Sequence, residues 1–581
     1  MTFENQTTLK TPSRMLSEWM EKAFVSVWGN LPSDAPDIRA TETTNPQFGD
    51  YQCNAALAMA GFLKRSPRDI ASAVVEKAET PDCIEKIEVA GPGFINIYLK
   101  NEWLCRFLEK VSATDRFGTP MPGKGSTIVM DYGSPNMTKP LHIGHLRSAN
   151  IGNVLDRLHR FLGYSVVSDN HLGDWGTQFG ITIMGYRNFG DPSRMETAPL
   201  EELERVYVAS YKKAGEDVSW MGKCREELVK LQKGDPENTK LWKKFMDLSL
   251  KEVNRVYARL GVSFDLARGE SWYRDELPSV VGLLEEKGLA VESEGARVVF
   301  LEDEKLPVCI VRKKDGGFNY ATTDIATILS RVSEFNPDRI VYVTDERQQL
   351  HFKQVFSVCR KLGCATRMDH VWFGLMRLPD ATISTREGTV IKLDDLLDEA
   401  ESRALALVKE SSPNMPPAEQ ERISRAVGIG AVKYADLSQN PQSVVTFTWN
   451  KALALDGNSG PYLQYAYARI ASVRDKYGEK FPSGDPDSVP LEITETVERS
   501  LALKLVRFSD IVERAADSYK PSVLTDYLYE LAQTYSSFYQ NVPFLKAAEG
   551  VRESRVRLCG AVARVLGKGL ELLGLERLSR I

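Results

Sequence analysis

One stretch constrains the fold of this 581-residue chain more than any other. Thr127-Ile-Val-Met130 is a short apolar strand that ends in Asp131. A loop rich in glycine, proline and polar residues follows and runs into a helix at about 142–162. Tyr164-Ser-Val-Val-Ser168 reads as the next strand. Strand, loop, helix and strand in that order form a βαβ unit. Such units build parallel sheets, and ligands sit at the carboxyl ends of their strands. Further strand candidates at 297–301, 307–311, 339–343 and 370–374 continue the alternation, with helices between them. A charged, mostly helical block at about 190–290 interrupts it and reads as an insertion between two halves of a nucleotide fold.

At about 150 residues per domain, a chain of this length implies three to five domains. Residues 1–112 mix helical periodicity with one strand candidate, Phe94-Ile-Asn-Ile-Tyr-Leu99, after the Gly91-Pro-Gly93 turn, and read as a small α+β module. The Pro- and Gly-rich stretch 115–124 reads as a linker, and after about Asp394 the chain turns almost wholly helical. Apolar residues at 43% and charged residues at 26% are ordinary for a globular protein. The net charge of -5 excludes a general polyanion binder, so nucleic-acid contact requires local patches. One such patch is the C-terminal stretch 541–581, with 8 Lys/Arg against 4 Asp/Glu. The eight cysteines contain no Cys-x-x-Cys pair, which argues against a zinc or redox motif and for reduced thiols in a cytoplasmic protein. The leading residues carry no apolar signal core, and no run of about 18 apolar residues offers a membrane span.

Two of the six histidines sit in Leu141-His-Ile-Gly-His145. Their spacing puts both imidazoles on one face of the first helical turn, where free amides and the helix dipole favour a phosphate. Gly144 lets a flat base or ribose approach the backbone, Lys139 adds a cation, and Pro140 suits the helix start. Taken alone, the pair is equally compatible with a capped helix bearing two exposed histidines.

The neighbouring residues decide between these readings. The chain contains Asp131-Tyr-Gly-Ser-Pro-Asn-Met-Thr-Lys-Pro-Leu-His-Ile-Gly-His-Leu-Arg-Ser148 and Gly173-Asp-Trp-Gly-Thr-Gln-Phe-Gly180. Farther on come Asn319-Tyr-Ala-Thr-Thr-Asp324, Leu350-His-Phe-Lys-Gln354 and Ser459-Gly-Pro-Tyr-Leu-Gln-Tyr-Ala-Tyr-Ala-Arg469. Together, in this order, they resemble the class I aminoacyl-tRNA synthetases, and within them the arginyl-tRNA synthetases. The resemblance implies a multidomain α/β protein with a Rossmann-type parallel-sheet catalytic domain. Its implied layout is an N-terminal α+β domain at 1–112 that binds the tRNA elbow, a catalytic domain at 113–395, a helical connector at 396–455 and a helical anticodon-binding domain at 456–581. The implied activity is ligation of arginine to tRNA(Arg), forming AMP and diphosphate, with ATP and Mg²⁺ and no structural metal, by a monomer. Activation of arginine only when tRNA is bound is a further implication.

Residue by residue, the resemblance implies catalytic roles for His142, His145, Lys139 and Arg386. It places ATP on Gly144, His142, His145, Ser384, Thr385, Phe373 and Met376. It places arginine on Asp131, Asn136, Tyr320, Asp324, Gln348 and His171, with Asp174 and Gln178 shaping the site. Negative charge and planar acceptors suit a guanidinium, a rigid fork of five donors. The tRNA candidates are Phe48, Tyr51 and Asn45 at the elbow, then Tyr535, Tyr539 and the basic run Arg552, Arg555, Arg557, Arg564 and Lys568. The chain departs from the class at its second motif. Ile383-Ser-Thr-Arg-Glu-Gly388 stands where the class has Lys-Met-Ser-Lys-Ser, so Arg386 is the sole cation there. Lys139 is expected to supply part of the missing charge.

Overall fold

The computed structural model describes residues 9–32, 34–43, 45–378 and 391–581. Its centre is a four-stranded parallel sheet ordered Arg367–Phe373, Arg339–Asp345, Thr127–Asp131, Ser165–Asp169. Alternation along Thr127–Asp131 buries both faces. Ile128 and Met130 join the core with the Ile143–Phe161 helix, while Val129 joins the opposite core with Ile325, Ile340 and Phe356. A strand covered on both sides reads as a continuous apolar run, as this one does. The strand order reverses between Thr127–Asp131 and Arg339–Asp345, and that switch point opens a crevice at the carboxyl edge.

The sequence expectation for the later strands needs one correction. Ala296–Val299 and Cys309–Arg312 do not enter the parallel sheet. They pair antiparallel with each other, and Ala290–Ser293 completes a separate three-stranded sheet. Short apolar strands look alike in either setting, and only their partners decide it. The helical insertion is present as Pro192–Thr197, Pro199–Glu216, Val218–Gln232 and Pro236–Arg259.

The N-terminal module carries four strands rather than one, ordered Ala40–Glu42, Tyr51–Cys53, Phe94–Leu99, Ile84–Ala90. Gly49 explains part of the Phe48-Gly-Asp-Tyr stretch. Its φ is +90°, and a Cβ there would lie 2.7 Å from the Ile97 carbonyl oxygen. Asp50 accepts from the Leu99 amide at 2.7 Å and from Arg499 of the C-terminal helices at 2.7 Å. Arg14–Glu513 at 2.9 Å and Thr11–Asp510 at 2.6 Å extend this junction.

From Leu393 onward the chain is a helical assembly ending in Pro521–Asn541 and Val551–Leu572. It is bolted to the catalytic sheet by a buried ion pair, Arg147 Nε to Asp436 Oδ1 at 2.7 Å, with Asn150 on the second oxygen at 3.0 Å. All eight cysteines are free thiols. Among the described residues no helix is long and apolar enough to cross a membrane.

Candidate active site

The crevice is lined by a loop held under backbone strain. Gly133, Ser134 and Thr138 all sit at positive φ, +85°, +45° and +71°, and for the two non-glycine residues this is a costly conformation that surrounding contacts must enforce. They do so. Gly133 donates to Ser148 Oγ at 2.9 Å, Ser134 donates to Asn170 Oδ1 at 3.0 Å, and Met137 pairs with the Gly173 carbonyl at 3.1 Å. Farther along, the Leu393 amide donates to Leu141 at 2.9 Å and the Ile143 amide to Ile391 at 3.2 Å. The histidine turn is therefore clamped between the 173 loop and the chain at 391–393.

His142 is the N-cap of the Ile143–Phe161 helix. Its Nδ1 accepts from the Gly144 amide at 3.0 Å, and its own amide donates to His145 Nδ1 at 3.1 Å. The rings lie 3.9 Å apart. Burial lowers the basicity of both. His145 falls to about 3, and His142 is lowered by burial and by the charges of Lys139 and Arg347. Both rings are thus neutral near pH 7, with Nδ1 occupied as acceptor, which leaves each Nε2–H free as a donor. A Cβ on Gly144 would come within 2.8 Å of the His142 ring, so the glycine is needed for the ring pair as well as for access.

The 172–173 segment, which pairs with Asn136 on one side and Gly269 on the other, ties this loop to an acidic recess. Asp324 and Tyr320 share one face of the Tyr320–Phe335 helix, as their spacing predicts. Asp324 Oδ2 pairs with His351 Nε2 at 2.5 Å. Glu270, in the short Glu270–Tyr273 turn, is pushed up to about 8 by burial and by the negative charges of Asp174 and Asp324, while the Trp175 amide opposes the shift. Burial, and after it the charge of Glu270, raises Tyr320. Asp174 is tied down by the Ser271 amide at 2.9 Å and hydroxyl at 2.6 Å. His171 keeps a buried Nδ1 without a partner among the described residues, 5.9 Å ring to ring from Tyr273. A recess holding several carboxylates, one of them held neutral by burial and by its charged neighbours, fits a cation such as a guanidinium.

Three family descriptions match this layout. Residues 13–99 match the arginyl tRNA synthetase N terminal domain, 109–449 the catalytic domain of tRNA synthetases class I (R), and 463–581 the DALR anticodon binding domain. The chain belongs to the arginyl-tRNA synthetases. The arginine–tRNA ligase of Fusobacterium nucleatum subsp. nucleatum is 44% identical over 99% of this chain and 100% of its own. That of Hahella chejuensis is 42% identical, covering 95% and 96%. Among solved structures, the arginyl-tRNA synthetase of Plasmodium falciparum aligns over 99% of this chain and all of its own, with a TM-score of 0.85 and 26% identity. The Thermus thermophilus arginyl-tRNA synthetase shares the fold, with a TM-score of 0.83.

Several sequence-named residues of this synthetase stand elsewhere than expected. Asp131 does not face the recess. Its carboxylate is buried against Arg331 at 2.7 Å, which also holds Asp169 at 2.7 Å and Tyr342 at 3.1 Å. Phe373 is buried with Arg147 5.6 Å from its ring centroid, whereas Met376 stays half-buried in a short ladder with Val445. Asn136 and Gln348 are exposed at the rim, and Gln178 is spent on the Gly173 carbonyl at 3.1 Å. Ser384, Thr385 and Arg386 lie outside the described residues.

The tRNA candidates divide in the same way. Tyr51 is wholly buried, with Arg507 5.6 Å from its ring centroid, so it cannot stack on a base, while Phe48 is 49% exposed. Asn45 caps its own turn through the Gln47 amide at 3.0 Å. Tyr535 is buried, and Tyr539 borders an open cleft. The arginines of the C-terminal helix are committed inward. Arg552 pairs with Glu553, Arg555 with Glu498 and Arg557 with Glu109, each at 2.7 Å. Arg564 donates to the Ser112 carbonyl, and Lys568 pairs with Glu571 at 2.9 Å.

The sequence reading missed Glu270, His351 and Arg347. Glu270 sits at the edge of what reads as a charged insertion, and nothing local marks it. His351 is already inside the Leu350-His-Phe-Lys-Gln354 stretch. Arg347, held bidentate by Asp345 at 2.7 and 3.0 Å, is a second cation whose field reaches His142.

Proposed function

We propose that the recess binds the arginine side chain and the histidine turn binds ATP, and that the two react across the crevice. The ligase activity itself follows from family membership: arginine is joined to tRNA(Arg) at the cost of ATP. The observation that supports the site assignment is the 172–173 segment, which pairs with Asn136 of the histidine loop and with Gly269, the residue before Glu270, and so ties the recess of Asp324, Glu270 and Tyr320 to the loop that carries the two neutral histidines. In the first step the arginine carboxylate attacks the α-phosphorus in line, and diphosphate leaves with the electrons of the broken P–O bond. His142 and His145 donate to the phosphate oxygens as charge builds on them, and Lys139 and Arg347 add positive field. Neutral imidazoles, a lysine and backbone amides suit phosphate oxygens better than a metal ion, so Mg²⁺ would enter on ATP. In the second step the 2′-hydroxyl of the terminal adenosine attacks the arginyl carbonyl carbon, and AMP departs.

At the far end, a cleft of about 320 Å³ lined by Tyr462, Tyr465, Arg469, Tyr529 and Gln533 offers stacking faces and amides to anticodon bases. Arg469 sits 4.8 Å from the Tyr465 ring centroid and 5.5 Å from that of Tyr539. This cleft takes over the role first given to the arginines of the last helix. Phe48 remains for the tRNA elbow.

ATP–diphosphate exchange tests the assignment. Exchange with arginine is expected to be robust with tRNA(Arg) and negligible without it, and exchange with lysine or glutamine to stay at background. Exchange absent under every condition would point instead to a binding-only relative.

Glu270 adds a pH signature. Its free-site value of about 8 means the carboxyl is protonated at pH 7, whereas a guanidinium partner requires it ionised. Arginine binding therefore releases a proton, and affinity is expected to rise with pH by up to about tenfold per unit below 8 and to level above it. Calorimetry in buffers of different ionisation enthalpy counts that proton. Glu270→Gln should flatten the slope.

A further inference from the structure

The helix that carries Tyr320 and Asp324 has a third polar residue on the same face. Arg331 lies two turns beyond Asp324 and three beyond Tyr320, so at about 100° per residue the three side chains fall within about 40° of one another. Unlike them it is sealed, with 1% of its surface exposed. Its Nη2 donates to Asp131 Oδ2 and to Asp169 Oδ2, each at 2.7 Å, and its Nη1 donates to the Tyr342 hydroxyl at 3.1 Å. One side chain therefore ties the recess helix to the ends of two sheet strands and to the middle of a third.

Each carboxylate passes the tie on. Asp131 Oδ1 accepts from the Ser134 hydroxyl at 2.8 Å, at the start of the histidine loop. Asp169 Oδ1 accepts from the amide of Arg268, two residues before Glu270, at 3.3 Å. The Arg268 guanidinium returns to the recess helix through Glu334 at 2.8 Å. Burial raises the Tyr273 phenol and the charge of Arg331 opposes that shift, so Arg331 also lies near the end of the Glu270–Tyr273 turn. Asp324 and Glu270 thus belong to two segments that meet at Arg331.

Stability does not account for this cluster. Apolar residues of similar volume often stabilise a fold as well as a buried ion pair does, and the best-attested use of such a pair is to fix register. Ile325 and Ile328 of the same helix share a core with Val129 and Ile340, but apolar burial is not directional. Two carboxylates on one nitrogen are directional, because a helix that turns or slides loses both contacts together.

We infer that Arg331 is a positioning residue of the recess: it fixes the rotation and height of the Tyr320–Phe335 helix, and with them the gap between Asp324 and Glu270 that sets the length of side chain whose guanidinium reaches both. This rests on the reading that the recess holds the arginine side chain. Arg331 itself touches no substrate.

The test charges tRNA(Arg) with arginine and with its homologues one methylene shorter and one longer. It uses wild type, Arg331→Lys and the double variant Arg331→Met/Asp169→Asn, which keeps the net charge of the cluster. One methylene typically separates substrates by about 10–200-fold in kcat/KM, and wild type is expected to favour arginine by that much. A misplacement of about 1 Å can cost about a hundredfold. Both variants are therefore expected to raise the arginine KM by about tenfold or more and to cut the preference over at least one homologue by about tenfold. The histidine loop keeps its anchors at Ser148, Asn170 and Gly173, so the ATP KM should stay within about twofold. The double variant carries the comparison if the lysine variant does not fold. An equal loss for all three amino acids, with the preference unaltered, overturns the inference and leaves Arg331 a stabilising contact only. Asp324→Asn is the control. An unchanged arginine KM there removes the recess reading, whereas a raised KM there with unaltered preference in the Arg331 variants removes the positioning role alone.

Discussion

Asp324→Asn is expected to raise the KM for arginine by roughly two to three orders of magnitude and to leave the KM for ATP within about twofold. The argument starts from the carboxylate's two oxygens. Oδ2 is occupied by His351 at 2.5 Å, which fixes the orientation of the group and leaves Oδ1 as the acceptor for a guanidinium. The amide variant loses the charge. It also presents an N–H₂ either to His351 or to a guanidinium that offers donors only. Truncating one partner of a buried, hydrogen-bonded charge pair typically costs about 2–5 kcal/mol. Glu270 and Tyr320 remain, so binding is weakened rather than abolished. ATP depends on the histidine turn, which Asp324 does not touch. Arginine saturation identical to wild type in Asp324→Asn would show that the guanidinium goes elsewhere.

What the sequence revealed, and what it withheld, follows from how local each signal is. The parallel unit around Asp131 was legible because strand, loop and helix are consecutive and the apolar run is continuous. Tyr320 and Asp324 were legible as a pair because helical spacing is a local property. His142 and His145 were legible as a pair, but their neutrality was not. That depends on burial and, for His142, on Lys139 and on Arg347, 205 residues farther along. Glu270 was hidden for a related reason. Its raised pKa arises from burial and from Asp174 and Asp324, which reach it from distant segments. The Phe48-Gly-Asp-Tyr stretch drew attention as a tRNA surface. Three of its four residues prove to turn inward, with Gly49 against Ile97, Asp50 on Arg499 and Tyr51 in the core. A motif can mark a domain junction as readily as a binding face, and composition does not separate the two.

The last helix makes the same point about charge, and it yields a strong prediction. Residues 541–581 carry an excess of Lys and Arg, which as a sequence reads as an electrostatic surface for tRNA. In the structure Arg555 has 7% of its surface exposed. It donates to Glu498 at 2.7 Å, to the Pro543 carbonyl at 2.8 Å and to Thr494 Oγ1 at 3.2 Å. Glu498 is 1% exposed and also caps its own helix through the Thr494 and Glu495 amides at 2.7 and 2.9 Å. Arg555→Ala would leave that carboxylate buried without its cation. Breaking a buried pair from one side typically costs about 3–5 kcal/mol, whereas replacing both partners with apolar residues of similar volume is often close to neutral. Arg555→Ala is therefore expected to lower the hydrogen-exchange protection of the Thr496–Val506 and Val551–Leu572 helices by about that amount, and Arg555→Met combined with Glu498→Leu to recover most of it. Local exchange is the right readout because a chain of several domains need not unfold in two states. The salt dependence of tRNA binding is expected to stay as in wild type, since a guanidinium already committed to Glu498 releases no counterion from a phosphate. A slope shallower by about one unit in Arg555→Ala, with exchange protection intact, would return the residue to the tRNA surface.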